Sequence, residues 1–115
     1  MTITVHGIPN CDTVKKARSW LEGREIAHDF HDYKKQGVDE AALRSWVAEA
    51  GWERLLNRAG TSFRKLPEDQ RANIDADKAV AIMLANPSTI KRPVVTGTPG
   101  PVIVGFKPDE WANYF

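Results

Sequence analysis

A break between a strand-like run and a helical pattern near the start of the chain restricts the possible folds more than any other feature. The run Ile3-Thr4-Val5 is typical of a β-strand. Gly7 and Pro9 then interrupt the strand pattern, so the chain turns there. Apolar residues at helical spacing follow this turn, namely Val14, Ala17, Trp20 and Leu21. A strand that leads through a turn into a helix favours an α/β fold.

Cys11, the only cysteine, lies in this turn or in the first turn of the helix. The first amide groups of a helix lack intrahelical partners and its dipole is positive at that end, so both favour a thiolate over a thiol. Lys15 adds a cation on the same helical face, whereas the charge of Asp12 opposes the thiolate. Two interpretations follow: a nucleophilic cysteine, or a small buried apolar residue.

Length and composition restrict the class of protein. A chain of 115 residues predicts a single domain. Its 16 basic and 15 acidic residues provide no argument for binding to nucleic acid or to a membrane surface. One cysteine excludes an intrachain disulfide and fits a reducing compartment. No apolar run is long enough to span a membrane and the start lacks the pattern of a signal peptide, so we expect a cytoplasmic protein.

The remaining patterns predict the order βαβ, then helices, then ββα. Residues 39–90 read as a helical insertion, with one helix capped by Asp39 and another by Asp75 or Asp77. The other predicted elements are a helix over 12–22 with Gly23 as its C-cap, an edge strand over 26–33 parallel to the first strand, a hairpin of 93–95 with 102–104, and a helix over 108–114.

No resident metal or phosphate-binding loop is expected. His6, His28 and His31 lie in or beside predicted strands, and the spacing of the last two points them to opposite faces of a strand. No acidic residue accompanies these histidines at the spacing of a known metal motif. The sequence also lacks the glycine-rich patterns that bind nucleotides.

The chain resembles the ArsC/Spx family of glutaredoxin-coupled arsenate reductases and their relatives, and especially its YffB-like branch. The resemblance covers nearly the whole chain. It rests on residues 3–11, on Asn86-Pro87 and on the run Ile90-Lys91-Arg92-Pro93-Val94-Val95. It implies a thioredoxin-like fold, with a four-stranded mixed sheet and a helical insertion between the βαβ and ββα halves.

The resemblance also implies roles for three residues. Cys11 aligns with the nucleophile of the family, which attacks arsenate or a thiol–disulfide substrate. Arg92 aligns with an arginine that holds the oxyanion, and its planar guanidinium suits such an anion. Without the resemblance, a surface ion pair would be the simpler interpretation of Arg92. Pro93 aligns with the proline that is cis in thioredoxin-like folds and that lines the site beside the cysteine.

Two positions depart from the pattern of arsenate reductases. Where those enzymes have an arginine after a Leu-Leu pair, this chain has Asn57, and Arg58 comes one place late. Where they have an arginine before a proline near the C-terminus, this chain has Lys107, which keeps the charge but loses the fork of donors. Lys15, Arg58 and Lys107 are therefore candidate anion-binding residues, with solvated surface charges as the alternative interpretation.

The residues and the resemblance together predict a monothiol reductase that acts on a disulfide, a mixed disulfide or an arsenate-like oxyanion. Val14 occupies the position of the second cysteine in a Cys-x-x-Cys motif. An oxidised Cys11 must therefore be reduced by an external thiol, for which we expect glutathione or glutaredoxin as the partner, without a bound cofactor. The alternative is a non-catalytic regulator that binds RNA polymerase, as the Spx branch of the family does.

Overall fold

A computed structural model describes residues 3–115. Met1 and Thr2 lie outside the described residues. The chain divides into two compact units. One contains the residues up to Gln36 together with Arg92–Phe115, and the other is Gly37–Lys91. The predicted helical segment, 39–90, lies within the second unit, and the assignment of both units to one domain stays a prediction.

The first unit contains all the strands among the described residues. Its elements are β1 (Ile3–Gly7), α1 (Asp12–Gly23), β2 (His28–Asp32), α2 (Tyr33–Gln36), β3 (Val94–Thr96), β4 (Ile103–Val104) and α8 (Pro108–Tyr114). The second unit contains α3 (Glu40–Ala50), α4 (Trp52–Leu55), α5 (Thr61–Arg64), α6 (Glu68–Arg71), α7 (Ala76–Ala85) and a 3₁₀ turn (Pro87–Thr89). The predicted order of elements is confirmed.

The sheet has the strand order β2-β1-β3-β4. β1 and β2 are parallel, with Gly7 opposite Asp32. β3 runs antiparallel to both of its neighbours, so that His6 of β1 and Val104 of β4 both lie opposite Val94. The sheet is therefore mixed, and β2 occupies an edge as predicted. β1, β2 and β4 end, and β3 begins, on the same side of the sheet. We call this row of strand ends the site edge, as distinct from the edge strands β2 and β4.

The core of the first unit lies between one face of the sheet and the two longer helices of this unit, α1 and α8. Its fully or nearly buried residues are Val5, Ala17, Leu21, Val95, Ile103 and Trp111. Trp111 of α8 donates a hydrogen bond from its indole Nε1 to the carbonyl oxygen of Gly105, at 3.1 Å. The indole N–H is thus satisfied inside the core, as a buried tryptophan requires. This contact fixes α8 to the loop that follows β4.

The second unit is built from helices whose starts the sequence predicts. The Asp39 carboxylate accepts a hydrogen bond from the amide of Ala42 at 2.9 Å, and that of Asp75 accepts one from Lys78 at 2.8 Å. Both aspartates satisfy an otherwise unpaired amide at a helix start, which is the usual reason for an acidic N-cap. Asp75, and not Asp77, is therefore the cap of α7. The largely buried apolar residues of this unit are Leu43, Trp46, Leu55, Leu56, Phe63, Ala79, Val80, Ile82, Met83 and Ile90.

The end of α1 differs from the sequence prediction. Gly23 is the last helical residue and not the cap, and Glu25 takes the left-handed conformation with φ of 59°. The amide of Glu25 donates to the Glu22 carbonyl at 3.0 Å, and that of Ile26 donates to the Leu21 carbonyl at 2.9 Å. These two bonds satisfy carbonyl groups at the helix end in the Schellman arrangement. Because backbone hydrogen bonding determines the end of the helix, the glycine does not mark it.

β2 is shorter than predicted, since it ends at Asp32. The Asp32 carboxylate accepts a hydrogen bond from the amide of Lys34 at 2.9 Å, and the Asp32 amide donates to Gln36 Oε1 at 3.1 Å. An aspartate that bonds to the backbone two residues on turns the chain out of an extended conformation. Tyr33 therefore opens the short helix α2 and does not continue the strand.

Gly7 allows α1 to approach β1 closely. A Cβ atom built on Gly7 would lie 2.8 Å from Cγ2 of Val14, a side chain that is 1% exposed. Valine in a helix has one strongly preferred rotamer, so it cannot rotate away at low cost. The absence of a side chain at Gly7 is therefore a packing requirement at the start of the turn that leads to Cys11.

We expect Gly7→Ala to lower the free energy of unfolding by about 1–2 kcal/mol, through overpacking against Val14. Gly23→Ala is the matched control, because an added Cβ there meets no atom within 4 Å and alanine favours a helical position. Urea unfolding of the two variants measures the difference. Equal stability of Gly7→Ala and Gly23→Ala would contradict the packing role.

No helix among residues 3–115 has both the length and the apolar character needed to cross a membrane.

Candidate active site

The strand ends bring together residues that are far apart in the sequence. Because β1 and β2 are parallel, both end at the same edge of the sheet, and antiparallel β3 begins there. Cys11 follows β1, Tyr33 follows β2 and Arg92 lies two residues before β3. Functional residues commonly lie on the loops at the carboxyl ends of strands. This edge of the first unit is therefore the candidate active site.

Cys11 is a free, half-buried cysteine at the N-cap position of α1. Its carbonyl oxygen accepts the first hydrogen bond of the helix, from the amide of Lys15 at 3.0 Å, and its own amide donates to the Ile8 carbonyl at 3.3 Å. The backbone of the cysteine is thus held at the helix start, while its side chain makes no capping hydrogen bond. The residue is partly exposed to solvent and lies at the start of the helix, where the first backbone amides lack intrahelical partners.

Arg92 and Pro93 are joined by a cis peptide bond, as the resemblance implied. Pro93 is buried, and its carbonyl oxygen accepts a hydrogen bond from the amide of Gly105 at 2.8 Å. The Arg92 side chain is half-buried and forms no ion pair with any carboxylate of residues 3–115. A partly buried guanidinium without an ion-pair partner in the described chain is suited to receive an anion from outside.

Tyr33 adds a second polar group at this edge. Its side chain is 2% exposed, and within the described part of the chain its hydroxyl oxygen has no hydrogen-bond partner. Burial raises the pKa of the Tyr33 phenol well above its ordinary value, and the positive charge of Arg92 acts in the opposite direction. The phenol is therefore a neutral O–H donor at physiological pH, within the electrostatic reach of Arg92.

His6 and His31 lie next to each other on β1 and β2. Their rings are 5.2 Å apart, and His6 Nε2 is 2.9 Å from the hydroxyl of Thr96. The His31 ring also makes an edge contact with Tyr33, with centroids 6.0 Å apart. Burial and the neighbouring His31 lower the pKa of His6 from 6.5 to about 4. His6 is therefore neutral in the folded protein at physiological pH.

The depressed pKa of His6 predicts a loss of stability in acid. Below pH 6.5 the unfolded chain takes up a proton at His6 that the folded chain accepts only near pH 4, so the free energy of unfolding falls as the pH falls through this window. Between pH 7 and pH 5 we expect wild type to lose about 1–2 kcal/mol more than His6→Gln, which cannot titrate. Urea unfolding at both pH values measures this difference. An equal loss in the two proteins would contradict the assignment.

The three further candidate anion-binding residues lie in different parts of the structure. Lys15 lies in the first turn of α1 with an exposed side chain, and Lys107 caps α8 three residues after β4 ends at the site edge. Arg58 belongs to the second unit, where its guanidinium lies over the ring of Trp52 at 5.3 Å. Anion binding by these three residues stays a prediction, as do the roles of Cys11 and Arg92.

Two features of the site were not identified from the sequence. Tyr33 falls inside the predicted strand over 26–33, and its place at the end of a strand parallel to β1 is the signal that could have identified it. The adjacency of His6 and His31 depends on the register of β1 with β2. Residues 3–115 contain no cluster of three or more histidine, cysteine or acidic side chains that could hold a metal ion.

Solved structures with the same fold include two that are 55% identical to this chain. One is the YffB protein, which superposes with a TM-score of 0.93 and for which the match covers 98% of each chain. The other is an arsenate reductase (ArsC) related protein from Brucella melitensis, with a TM-score of 0.79 and coverage of 100% of this chain and 95% of the other. The thioredoxin-like α/β fold of the arsenate reductase family is therefore confirmed.

The sequence also matches relatives that are described as transcriptional regulators. The global transcriptional regulator Spx of Streptococcus agalactiae is 26% identical over 110 residues, which cover 94% of this chain and 79% of the regulator. The ArsC family model matches residues 6–114, a range that includes Cys11, Tyr33 and Arg92. The chain therefore belongs to the ArsC family, which includes arsenate reductase-like proteins and relatives named Spx.

Proposed function

We propose that this protein is a glutathione-dependent monothiol reductase with Cys11 as its nucleophile. One observation carries the proposal: a free, half-buried cysteine at a helix start and a guanidinium without a carboxylate partner in the described chain flank the same edge of the sheet. A thiolate nucleophile needs such an electropositive, partly exposed environment. Membership of the ArsC family agrees with this chemistry.

The reaction consists of two thiol–disulfide exchanges. The Cys11 thiolate attacks the glutathione sulfur of a mixed disulfide, and the S–S bond breaks as the substrate leaves as a thiolate and takes up a proton. A second glutathione thiolate then attacks the Cys11–glutathione disulfide. This step forms glutathione disulfide and releases the Cys11 thiolate. In the net reaction the substrate sulfur is reduced to a thiol and the thiol of one free glutathione is oxidised; this glutathione leaves as glutathione disulfide together with the glutathione that came from the mixed disulfide.

Arg92 would bind the anionic part of the substrate. A guanidinium can donate two parallel hydrogen bonds to a carboxylate of glutathione or to an oxyanion. Lys15 and Lys107 would add positive charge, but an ammonium cannot donate the two parallel hydrogen bonds of a guanidinium. Arg58, whose guanidinium lies over the ring of Trp52, is a further candidate. Because lysine replaces one family arginine, we favour a glutathione mixed disulfide or other disulfide over arsenate as the substrate.

Mass spectrometry of the intact protein tests this proposal. Incubation of the reduced protein with glutathione disulfide should add one glutathione at Cys11, and excess glutathione should remove it. A glutaredoxin added at low concentration distinguishes the two electron donors, since it should accelerate removal only if it is the partner. A protein that forms no adduct, although Cys11 can be alkylated after unfolding, would contradict the proposal.

A non-catalytic role is the second candidate, supported by the similarity to the regulator Spx. A regulator of this kind would use its folded surface to bind RNA polymerase and would not need Cys11 to react with a substrate. Co-purification of RNA polymerase with tagged wild type and with Cys11→Ser would test it. Equal capture by both proteins, together with the absence of reductase activity, would favour the regulator over the enzyme.

A further inference from the structure

The unpartnered hydroxyl of Tyr33 requires an explanation. A hydroxyl buried without a hydrogen bond destabilises a protein relative to a bonded one, and native structures contain few such groups. The hydroxyl oxygen of Tyr33 has no partner among residues 3–115, although the side chain is 98% buried. Phenylalanine would fill the same space without this cost. The hydroxyl therefore points to a partner that is not part of the described chain.

The position of Tyr33 suggests what that partner is. Tyr33 directly follows β2 at the edge where Cys11 follows β1, and the charge of Arg92 acts on the phenol. A neutral phenol can donate one hydrogen bond. An anion held by the guanidinium of Arg92 has acceptor oxygens to spare, because a guanidinium engages at most two of them in a bidentate pair. A donor at the same strand ends as Arg92 is thus complementary to a carboxylate or an oxyanion.

We propose that the Tyr33 hydroxyl donates a hydrogen bond to the substrate anion that Arg92 binds, so that Tyr33 is a specificity-determining residue of the site. This inference rests on the proposed function and specifies the anion as a carboxylate of glutathione or a tetrahedral oxyanion. The hydroxyl is buried and unpaired in the free protein, so the Tyr33 side chain has to move for the hydroxyl to pair with the bound anion. Part of the stability of the free protein is thereby exchanged for recognition of the substrate.

The experiment compares Tyr33→Phe with Tyr114→Phe, whose parent side chain is the other tyrosine and is 51% exposed. NMR titrations of the reduced proteins with sulfate and with glutathione give dissociation constants, and the two probes distinguish an oxyanion from a carboxylate. For at least one probe, Tyr33→Phe should bind about five- to tenfold more weakly than wild type, with stability equal to or greater than that of wild type. Tyr114→Phe should bind both probes as wild type does.

A measurement on the unaltered protein makes the test independent of the variants. With ¹³C-labelled tyrosine, the signal of Tyr33 should shift in a saturable way as the probe is added, while that of Tyr114 stays in place. Unchanged affinities in Tyr33→Phe, or a Tyr33 signal that does not move at saturation, would overturn the inference. Because these measurements involve no turnover, an inactive protein that still shows the Tyr33 effect would refute only the reductase proposal.

Discussion

Replacing Cys11 by serine is expected to reduce the rate of turnover with a glutathione mixed disulfide by about 1000-fold or more. Serine is nearly isosteric, but its hydroxyl cannot form the mixed disulfide through which the reaction proceeds. The coupled assay for glutathione disulfide measures this rate. Because Cys11 caps α1 through its backbone and makes no side-chain capping bond, we expect the free energy of unfolding to change by less than about 0.5 kcal/mol.

A matched control separates chemistry from folding. Ser19→Ala changes an exposed side chain of the same helix and should retain both the activity and the stability of wild type. If Cys11→Ser is folded and keeps more than about a tenth of the activity, the cysteine is not the nucleophile. The mixed-disulfide route would then be wrong, whatever the behaviour of Arg92.

Arg92→Gln is expected to reduce kcat/KM by about 100-fold, which corresponds to about 2.7 kcal/mol of lost transition-state stabilisation. Hydrogen bonds to charged groups contribute about 1.5–3 kcal/mol, so the loss of a bidentate pair accounts for this size. Arg92→Lys should be intermediate, because an ammonium keeps the charge and loses the fork. Steady-state kinetics with varied mixed disulfide measures all three proteins.

Lys91→Gln is the control for Arg92→Gln, since it removes the same charge from the adjacent residue. The Lys91 side chain is exposed, and its amide, which the substitution leaves intact, donates to the Leu55 carbonyl at 2.7 Å. We expect less than a twofold change, as is usual for an isolated surface charge. Equal effects of the two substitutions would show that overall charge matters and that no specific guanidinium site exists.

Much of the fold could be predicted because local sequence patterns determine where its strands, turns and helices begin and end. The turn at Gly7 and Pro9 separates β1 from α1, Asp39 caps α3, and Pro108 begins α8. Each of these features depends on the conformation or hydrogen bonding of a few neighbouring residues. The predicted boundaries were less accurate where backbone hydrogen bonds, and not a glycine, determine the end of a helix. At the end of α1 these bonds are donated by Glu25 and Ile26, which lie beyond Gly23.

The candidate site was predictable only in part. Cys11 is recognisable by its place in the turn, whereas Arg92 and the cis bond to Pro93 followed from the resemblance to the ArsC/Spx family. Nothing in the local sequence marks Arg92 as different from a surface arginine. Its place at the site edge follows from the antiparallel pairing of β3 with β1, which joins residues about 90 positions apart.

The sequence by itself determined the order of strands and helices and the place of a single cysteine at a helix start, because periodicity, turn residues and caps act over a few residues. Only the tertiary structure decided that Tyr33 is buried with an unpaired hydroxyl, that His6 lies against His31, and that Arg92 carries no ion pair within residues 3–115. The physical reason is that burial and hydrogen-bond satisfaction depend on groups brought together by strand pairing, which no single stretch of sequence contains.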